Sequence, residues 1–135
     1  MNRNELKELS RIRLEEARAL LKNGKYDGAY YLCGYAVECA LKACIAKQTK
    51  QYDFPDKKTV NDSYTHDLTK LTRTAQLPLE QELESNEDFA TNWSVVKEWS
   101  EESRYERFGE KTVHDLYSAV TDIKHGVLQW IRQHW

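Results

Sequence analysis

The sequence has 135 residues, 40% hydrophobic residues and a formal net charge of −2, which is the size and apolar content of one domain with a substantial core. No stretch approaches the roughly 20 apolar residues of a membrane span, and the start lacks the basic-then-apolar pattern of a secretory signal, so we predict one cytoplasmic domain over residues 1–135. Both signs of charge are interspersed, which excludes a protein that holds nucleic acid through bulk electrostatics, and any such contact must be local.

The first predicted helix runs from about Asn4 to Lys22, because apolar residues recur at helical spacing among Lys, Arg and Glu. Asn23-Gly24 supplies a left-handed C-terminal stop, and Asp27 follows as an early-turn acid or cap of the next helix. The connection is therefore short, which favours an antiparallel helical hairpin.

A long central helix is predicted from Tyr26 to Lys47, and its apolar side chains cover well over half of its circumference. A helix this apolar must be surrounded by others. Gly34 in its middle costs about 1 kcal/mol of helix propensity relative to alanine, so we expect another backbone to pass close there, at a helix crossing. The cysteines all lie on this helix at spacings that suit neither a disulfide nor a zinc site, which predicts small core residues in a reducing compartment.

The central helix also carries a polar stripe, since Tyr31, Tyr35, Glu38 and Lys42 follow one another at i, i+4, i+7 and i+11. Glu38 and Lys42 can pair there. Two interpretations of the stripe remain open. It is either a solvated or partner-facing edge of the protein, or the wall of a cleft in which charge is needed.

Beyond Lys47 the helical pattern breaks, and the run to Thr65, which contains Pro55, predicts a long exposed loop. Thr65 is the expected N-cap of a short helix that places His66 in its first turn. Pro78 ends that helix or opens the next one, and a short acidic helix follows. A longer helix then carries the large apolar residues Phe89, Trp93, Val96 and Trp99.

A bend before the last helix combines positive charge with aromatic rings, an association that is unusual in this sequence: Arg104, Tyr105, Arg107, Phe108 and Gly109. The last helix has the strictest 3-4 periodicity of the chain, in Val113, Leu116, Val120, Ile123, Val127, Trp130 and His134. Such a stripe packs along another helix, in the same subunit or in a partner's.

The run YDGAYYLCGYAVECALKACIAKQ at residues 26–48 is preceded by EARALLKNGK and followed by FPDK, by THDLTKL, and by Trp99 with Arg104-Tyr105 ahead of the final helix. This arrangement resembles the HEPN domain family over nearly the whole chain. The segment GYAVECALKA at residues 34–43 is its most specific part.

The resemblance implies an all-α fold, an antiparallel bundle of about four or five helices that pairs as a homodimer. It also implies one of two roles. Some members are metal-independent ribonucleases of toxin and phage-defence systems, and noncatalytic members bind nucleotides or accompany a minimal nucleotidyltransferase. The ribonucleases carry Arg-x4–6-His near the start of the last helix, and the matching residues here are Arg107 and His114.

Our leading hypothesis is an accessory or interaction module that binds a nucleotide or RNA phosphate near Arg104, Arg107 and His114, with a nucleotidyltransferase partner in a toxin-antitoxin or defence context. The candidate ligand-binding residues are Arg104, Tyr105, Tyr31, Tyr35, Glu38 and Lys42. The homodimer would form through the Tyr31/Tyr35/Glu38 stripe or the final apolar stripe.

Two alternatives remain open. The first is a metal-independent ribonuclease, in which His114 transfers protons and Arg107 stabilises the developing phosphorane charge. The second is a structural dimer without a ligand. No clustered carboxylates suggest Mg²⁺, so we expect no metal and no cofactor, and neither DNA nor a membrane as partner.

Overall fold

The computed structural model describes residues 1–49 and 54–135, and all regular structure within these residues is helical. The α-helices are α1 (Arg3–Lys22), α2 (Tyr26–Lys47), α3 (Lys57–Asp62), α4 (Leu68–Thr74), α5 (Leu79–Ser85), α6 (Glu87–Val96), α7 (Glu110–Thr121) and α8 (Val127–Arg132). A 3-10 turn at Glu101–Tyr105 lies between α6 and α7. The predicted all-α class is confirmed, although short helices raise the count above the four or five expected.

α1 and α2 form the predicted antiparallel hairpin. Gly24 ends the first helix with φ +72°, which is the left-handed conformation expected of it. Midway along the pair, the buried Ser10 hydroxyl donates a 2.7 Å hydrogen bond to the Ala36 carbonyl. This bond fixes the register of the two helices.

α2 is the centre of the fold. Thirteen of its 22 residues are buried, and it contacts α1, α4, α7, α8 and the 3-10 turn. Its three cysteines are buried and free. Burial raises the pKa of the Cys33 and Cys39 thiols to about 12 and that of Cys44 to about 11, so they behave as small apolar core residues.

The segment after α2 is more helical than predicted. Residues 50–53 lie outside the described part of the chain, but α3 occupies residues 57–62 of the predicted loop. The Asp56 carboxylate caps α3 by accepting the Thr59 N–H at 2.9 Å. The next helix is capped by Asp67 rather than Thr65, so His66 precedes α4 instead of lying in its first turn. Asp56 thus caps a helix that was not predicted, and Asp67 takes the capping position expected of Thr65. Aspartate is the stronger N-cap residue of the two types.

α6 ends at Val96, before the position predicted for it. Trp99 therefore lies outside the helix, but it is buried with the other apolar residues of this region. Pro78 opens α5, which is one of the two outcomes expected for it.

The predicted final helix is divided in two. The Asp122 carboxylate accepts the His125 N–H at 2.7 Å, and this turn separates α7 from α8. Ile123, which the 3-4 pattern placed on the apolar face, is 83% exposed. The other apolar stripe residues pack inside the same chain, so this stripe does not present the dimer surface we expected: Val113, Leu116, Val120, Val127 and Trp130.

None of the helices in residues 1–49 and 54–135 combines the length and the apolar character needed to cross a bilayer.

Candidate functional site

The bend between α6 and α7 is anchored first through Trp99. A Cβ atom on Gly34 would lie 2.2 Å from Trp99 Cδ1, so the indole ring fills the space that a side chain at position 34 would need. The close neighbour of this glycine is therefore an aromatic side chain, and the predicted helix crossing was wrong. Ser103, in the 3-10 turn, is also buried.

Phe108 anchors the other end of the bend. Its ring stacks on Tyr30 with centroids 3.7 Å apart and an interplanar angle of 15°. Its backbone N–H donates a 2.6 Å hydrogen bond to the Asp27 carboxylate at the start of α2. The bend is thus fixed to the central helix on both sides, and Asp27 serves as its anchor.

Between these anchors, two arginine side chains extend into solvent. Arg104 and Arg107 are exposed, and within the described residues neither forms an ion pair. The Arg104 guanidinium lies 4.9 Å from the centroid of the Tyr105 ring, and Tyr105 and Tyr31 raise the pKa of Arg104. Arg107 lines a shallow groove together with Tyr26 and neighbouring residues of the α1–α2 connection.

The polar stripe of α2 contains a buried carboxylate whose two oxygens face a lysine and a histidine. Glu38 is 2% exposed. One of its oxygens lies 3.3 Å from Lys42 Nζ, and the other lies 2.8 Å from His66 Nδ1. The opposite ring nitrogen, His66 Nε2, lies 3.1 Å from the Glu101 carboxylate.

This arrangement, which we call the Glu38 network (Glu38, Lys42, His66 and Glu101), joins three separate elements: α2, the segment before α4 and the 3-10 turn. A ring nitrogen donates to a carboxylate only when it carries a proton, so His66 can donate both contacts at once only as the doubly protonated ring. Glu38 and Glu101 lie on opposite sides of the His66 ring, at Nδ1 and Nε2. A single metal ion therefore cannot bind both carboxylates and the ring. Accordingly, no group of three potential metal ligands occurs within the described residues.

Tyr31 and Tyr35 connect the network to the bend. Their ring centroids lie 5.9 Å apart, and Tyr31 is also 5.9 Å from the Trp99 ring. Tyr35 and Glu38 then line a groove of about 390 Å³ whose other walls come from α1 and α3. Burial and then the Cys39 and Glu38 charges raise the pKa of Tyr35. Tyr35, Glu38 and Lys42 thus belong to the wall of a groove, whereas Tyr31 is not in its lining.

His114 lies apart from these contacts. It is the fifth residue of α7, its side chain is 54% exposed, and Nε2 lies 3.8 Å from the Glu110 carboxylate. No hydrogen bond or ion pair among residues 1–49 and 54–135 joins it to Arg107, and it is not in the lining of the groove beside Arg107.

The structure brings together most of the residues that the sequence singled out. Arg104 and Tyr105 lie beside Tyr31, and the stripe continues to Glu38 and Lys42. Two members of the Glu38 network, His66 and Glu101, were missed. The available signal was physical, because a carboxylate surrounded by apolar positions on a buried helix needs partners that satisfy both of its oxygens.

These features define a class of protein: a helical bundle around one buried central helix, with a firmly anchored basic bend beside it. The HEPN domain model matches residues 4–134. The chain therefore belongs to the HEPN domain family, as the central helix led us to expect. No curated protein and no solved structure matches it significantly.

Proposed function

We propose that this chain is a HEPN interaction module that binds the phosphate of a nucleotide or of RNA at the Arg104–Arg107 bend. In this proposal it acts as a homodimer, with a separately encoded nucleotidyltransferase as its protein partner in a toxin-antitoxin or defence system. Ligand binding at the bend is the step that can be tested on the isolated chain.

The observation that carries the proposal is a pair of exposed guanidinium groups on a bend that is anchored at both ends. Arg104 and Arg107 have no carboxylate partner among the described residues, whereas the half-buried Arg13 pairs with Glu16. Guanidinium groups bind phosphate oxygens with two parallel hydrogen bonds. The adjacent Tyr105 ring is 78% exposed and offers a surface on which a base can stack.

Binding should be measured by isothermal titration with ATP and with a polyuridine RNA, using the double variant Arg104→Gln/Arg107→Gln. The expected result is a loss of affinity of about tenfold or more, since two charge-assisted contacts are removed. Arg18→Gln/Lys22→Gln is the matched control, because it removes two exposed positive charges from α1. Equal binding by wild type and the bend variant would refute the assignment, and absence of any binding would favour the structural dimer.

The homodimer and the protein partner need separate experiments. Light scattering at several concentrations should give twice the mass of one chain. The apolar stripe of α7 and α8 is buried within the subunit except for Ile123. Ile123→Glu therefore tests whether this exposed residue of the stripe contributes to the dimer interface. Co-purification of a coexpressed minimal nucleotidyltransferase tests the partner, and a monomer that captures none would contradict both statements.

A metal-independent ribonuclease is the second candidate. It is supported by the exposure of Arg107 and His114, which flank the start of α7, and by the Phe108 anchor that holds the arginine in place. Histidine can move the protons of 2′-hydroxyl attack, and arginine can stabilise the phosphorane. RNA incubated in chelator should be cleaved by wild type and by the control Lys111→Ala, but not by His114→Ala. Cleavage that survives in His114→Ala, or no cleavage at all, would count against it.

A further inference from the structure

A group of positive side chains surrounds one tryptophan where the first half of α1 meets the end of α8. Lys7 Nζ lies 5.2 Å from the Trp135 ring centroid, the Arg11 guanidinium 5.2 Å and the Arg132 guanidinium 5.4 Å. Arg3 Nε donates a 3.0 Å hydrogen bond to the Trp135 backbone oxygen. We call these residues the Trp135 cluster: Arg3, Lys7, Arg11, Arg132 and Trp135.

The fold creates this cluster from two distant parts of the chain. Arg3, Lys7 and Arg11 recur every four residues, so they lie on one face of α1. Arg132 comes from the last turn of α8. The α8 end is held near the hairpin, since the Cys44 thiol of α2 donates to the Ile131 carbonyl at 3.7 Å.

The positive charges of the cluster are poorly compensated. Burial, followed by the charges of Arg3, Arg11 and Lys47, lowers the pKa of Lys7. Burial and then Arg11 lower the pKa of Arg132. Arg3 is occupied by the backbone oxygen of Trp135, the last residue of the sequence, where a terminal carboxylate would compensate it, and the exposed Glu8 lies 3.8 Å from Arg11, in a kind of pair that contributes little. Within the described residues, Lys7 and Arg132 have no carboxylate partner.

The positive charges of the cluster repel one another. Three of them lie 5.2–5.4 Å from the centroid of the same Trp135 ring, and the charge of Arg11 acts on both Lys7 and Arg132. Contacts with the ring face orient the cations but leave their charge unneutralised. An anion bound between them would remove this repulsion.

We propose that the Trp135 cluster is an anion site that binds the phosphate groups of RNA or of a free nucleotide. Phosphate oxygens accept hydrogen bonds from guanidinium and ammonium groups at the same time. The partly buried indole supplies an aromatic surface next to the charges, a combination typical of single-stranded nucleic acid sites. The chain as a whole has a net charge of −2, so the attraction is local to this end of the bundle.

This site is separate from the bend. The bend is tied to Asp27 at the start of α2, whereas Lys47, at the end of α2, is among the charges that act on Lys7. Because Ser10 bonds to Ala36 midway along α2 and the two helices are antiparallel, Arg3 and Lys7 lie beside the second half of α2. Substitutions at one site therefore leave the contacts of the other intact.

The test uses fluorescence anisotropy of a labelled polyuridine RNA and of a labelled ATP, with the variants Lys7→Gln/Arg11→Gln and Arg18→Gln/Lys22→Gln. Both pairs remove two positive charges from α1, but the second pair lies outside the cluster. We expect the cluster variant to bind RNA about tenfold more weakly. The slope of log binding constant against log salt concentration should become shallower by about 0.7 for each lost phosphate contact. Lys7→Arg/Arg11→Lys keeps the charges and should keep the binding, and circular dichroism verifies that every variant is folded.

Loss of RNA binding alone in the cluster variant supports a site for the RNA backbone, and loss of both ligands supports a site for the phosphate group itself. Equal loss in the cluster and control variants would overturn the site, as would binding of neither ligand. Binding of a polyglutamate peptide but not RNA would also overturn it, in favour of an acidic protein partner. If Arg104→Gln/Arg107→Gln loses RNA and ATP binding but Lys7→Gln/Arg11→Gln does not, the result would support the function proposed for the bend and reject this second site.

Discussion

Replacing Gly34 by alanine tests how the central helix supports the bend. In an ordinary helix this substitution stabilises, because alanine has a higher helix propensity by about 1 kcal/mol. Here the new Cβ atom would lie 2.2 Å from Trp99 Cδ1 and 2.3 Å from Cδ2. The clash should therefore reverse the sign of the usual effect.

The expected size follows from the space available to Trp99. The ring would have to retreat from 2.2 Å to the 3.4 Å at which ordinary contact begins, and it is 2% exposed and surrounded by core residues. Forcing extra atoms into a packed core costs about 1–3 kcal/mol, and severe contacts cost more. After subtraction of the propensity gain, we expect a net loss of about 2 kcal/mol, or roughly 8 °C in Tm for a domain of this size.

Urea denaturation of wild type, Gly34→Ala and Gly28→Ala measures the effect. Gly28 lies on the same helix, but a Cβ atom at this position would meet only the flexible end of Leu20, at 3.2 Å, so this control should be neutral or slightly stabilising. The double variant Gly34→Ala/Trp99→Leu should lose less than the sum of the single changes, because the smaller side chain leaves room for the methyl group. A Gly34→Ala protein more stable than wild type would refute the packing argument.

Three further expectations concern buried polar groups. Glu38→Ala removes the buried partner of Lys42 and His66 and should lower the free energy of unfolding by about 3 kcal/mol in urea denaturation; no change would show that the network does not stabilise the fold. Ser103→Ala should change stability by no more than about 0.5 kcal/mol, because the buried hydroxyl has no hydrogen-bond partner among the described residues; a larger loss would reveal a hidden contact. The folded pKa values of about 12 for Cys33 and Cys39 and about 11 for Cys44 exceed the ordinary 9.0, so the folded state retains these protons to higher pH than the unfolded chain. The contribution of these thiols to stability should therefore be constant below pH 9 and fall between pH 9 and about 12, and a thiol reagent used below pH 9 should label the native protein far more slowly than the unfolded one.

The hairpin could be predicted from sequence because its determinants are local. The apolar period defines α1 and α2, and the Asn23-Gly24 stop sets the connection between them, so both helices begin and end within one residue of their predicted bounds. Tertiary contacts were not needed to place these ends. The family resemblance was confirmed by a match over residues 4–134.

The final helix shows where a periodic pattern is insufficient. Ile123 continues the apolar spacing, yet it is exposed, since the Asp122 carboxylate binds the His125 N–H and turns the chain. Periodicity reports which side chains can share a face but not whether the backbone remains helical between them. A local side-chain cap competes with the helix and prevails here.

The parts of the candidate site that lie within one helix or one bend could be predicted, but the contacts between separate segments could not. The stripe on α2 and the cations of the bend could each be identified from spacing and composition. The partners of Glu38 could not, because His66 and Glu101 are brought to it by packing of segments 28 and 63 residues further along the chain. A buried carboxylate indicates that partners exist, and the fold determines which ones.

The separation of the two proposed phosphate sites gives a final expectation, which depends on RNA length. The bend contacts the first half of α2 through Asp27 and Gly34, whereas Arg3 and Lys7 of the Trp135 cluster lie beside its second half, so a short RNA can occupy either site and a longer one can reach both. An RNA long enough to reach both converts the second contact into an intramolecular one, and affinity should rise steeply at that length. Anisotropy with polyuridines of increasing length measures this rise, which should vanish when either the Arg104/Arg107 pair or the Lys7/Arg11 pair is neutralised. A gradual increase that both variants retain would mean that the two surfaces do not act on the same strand.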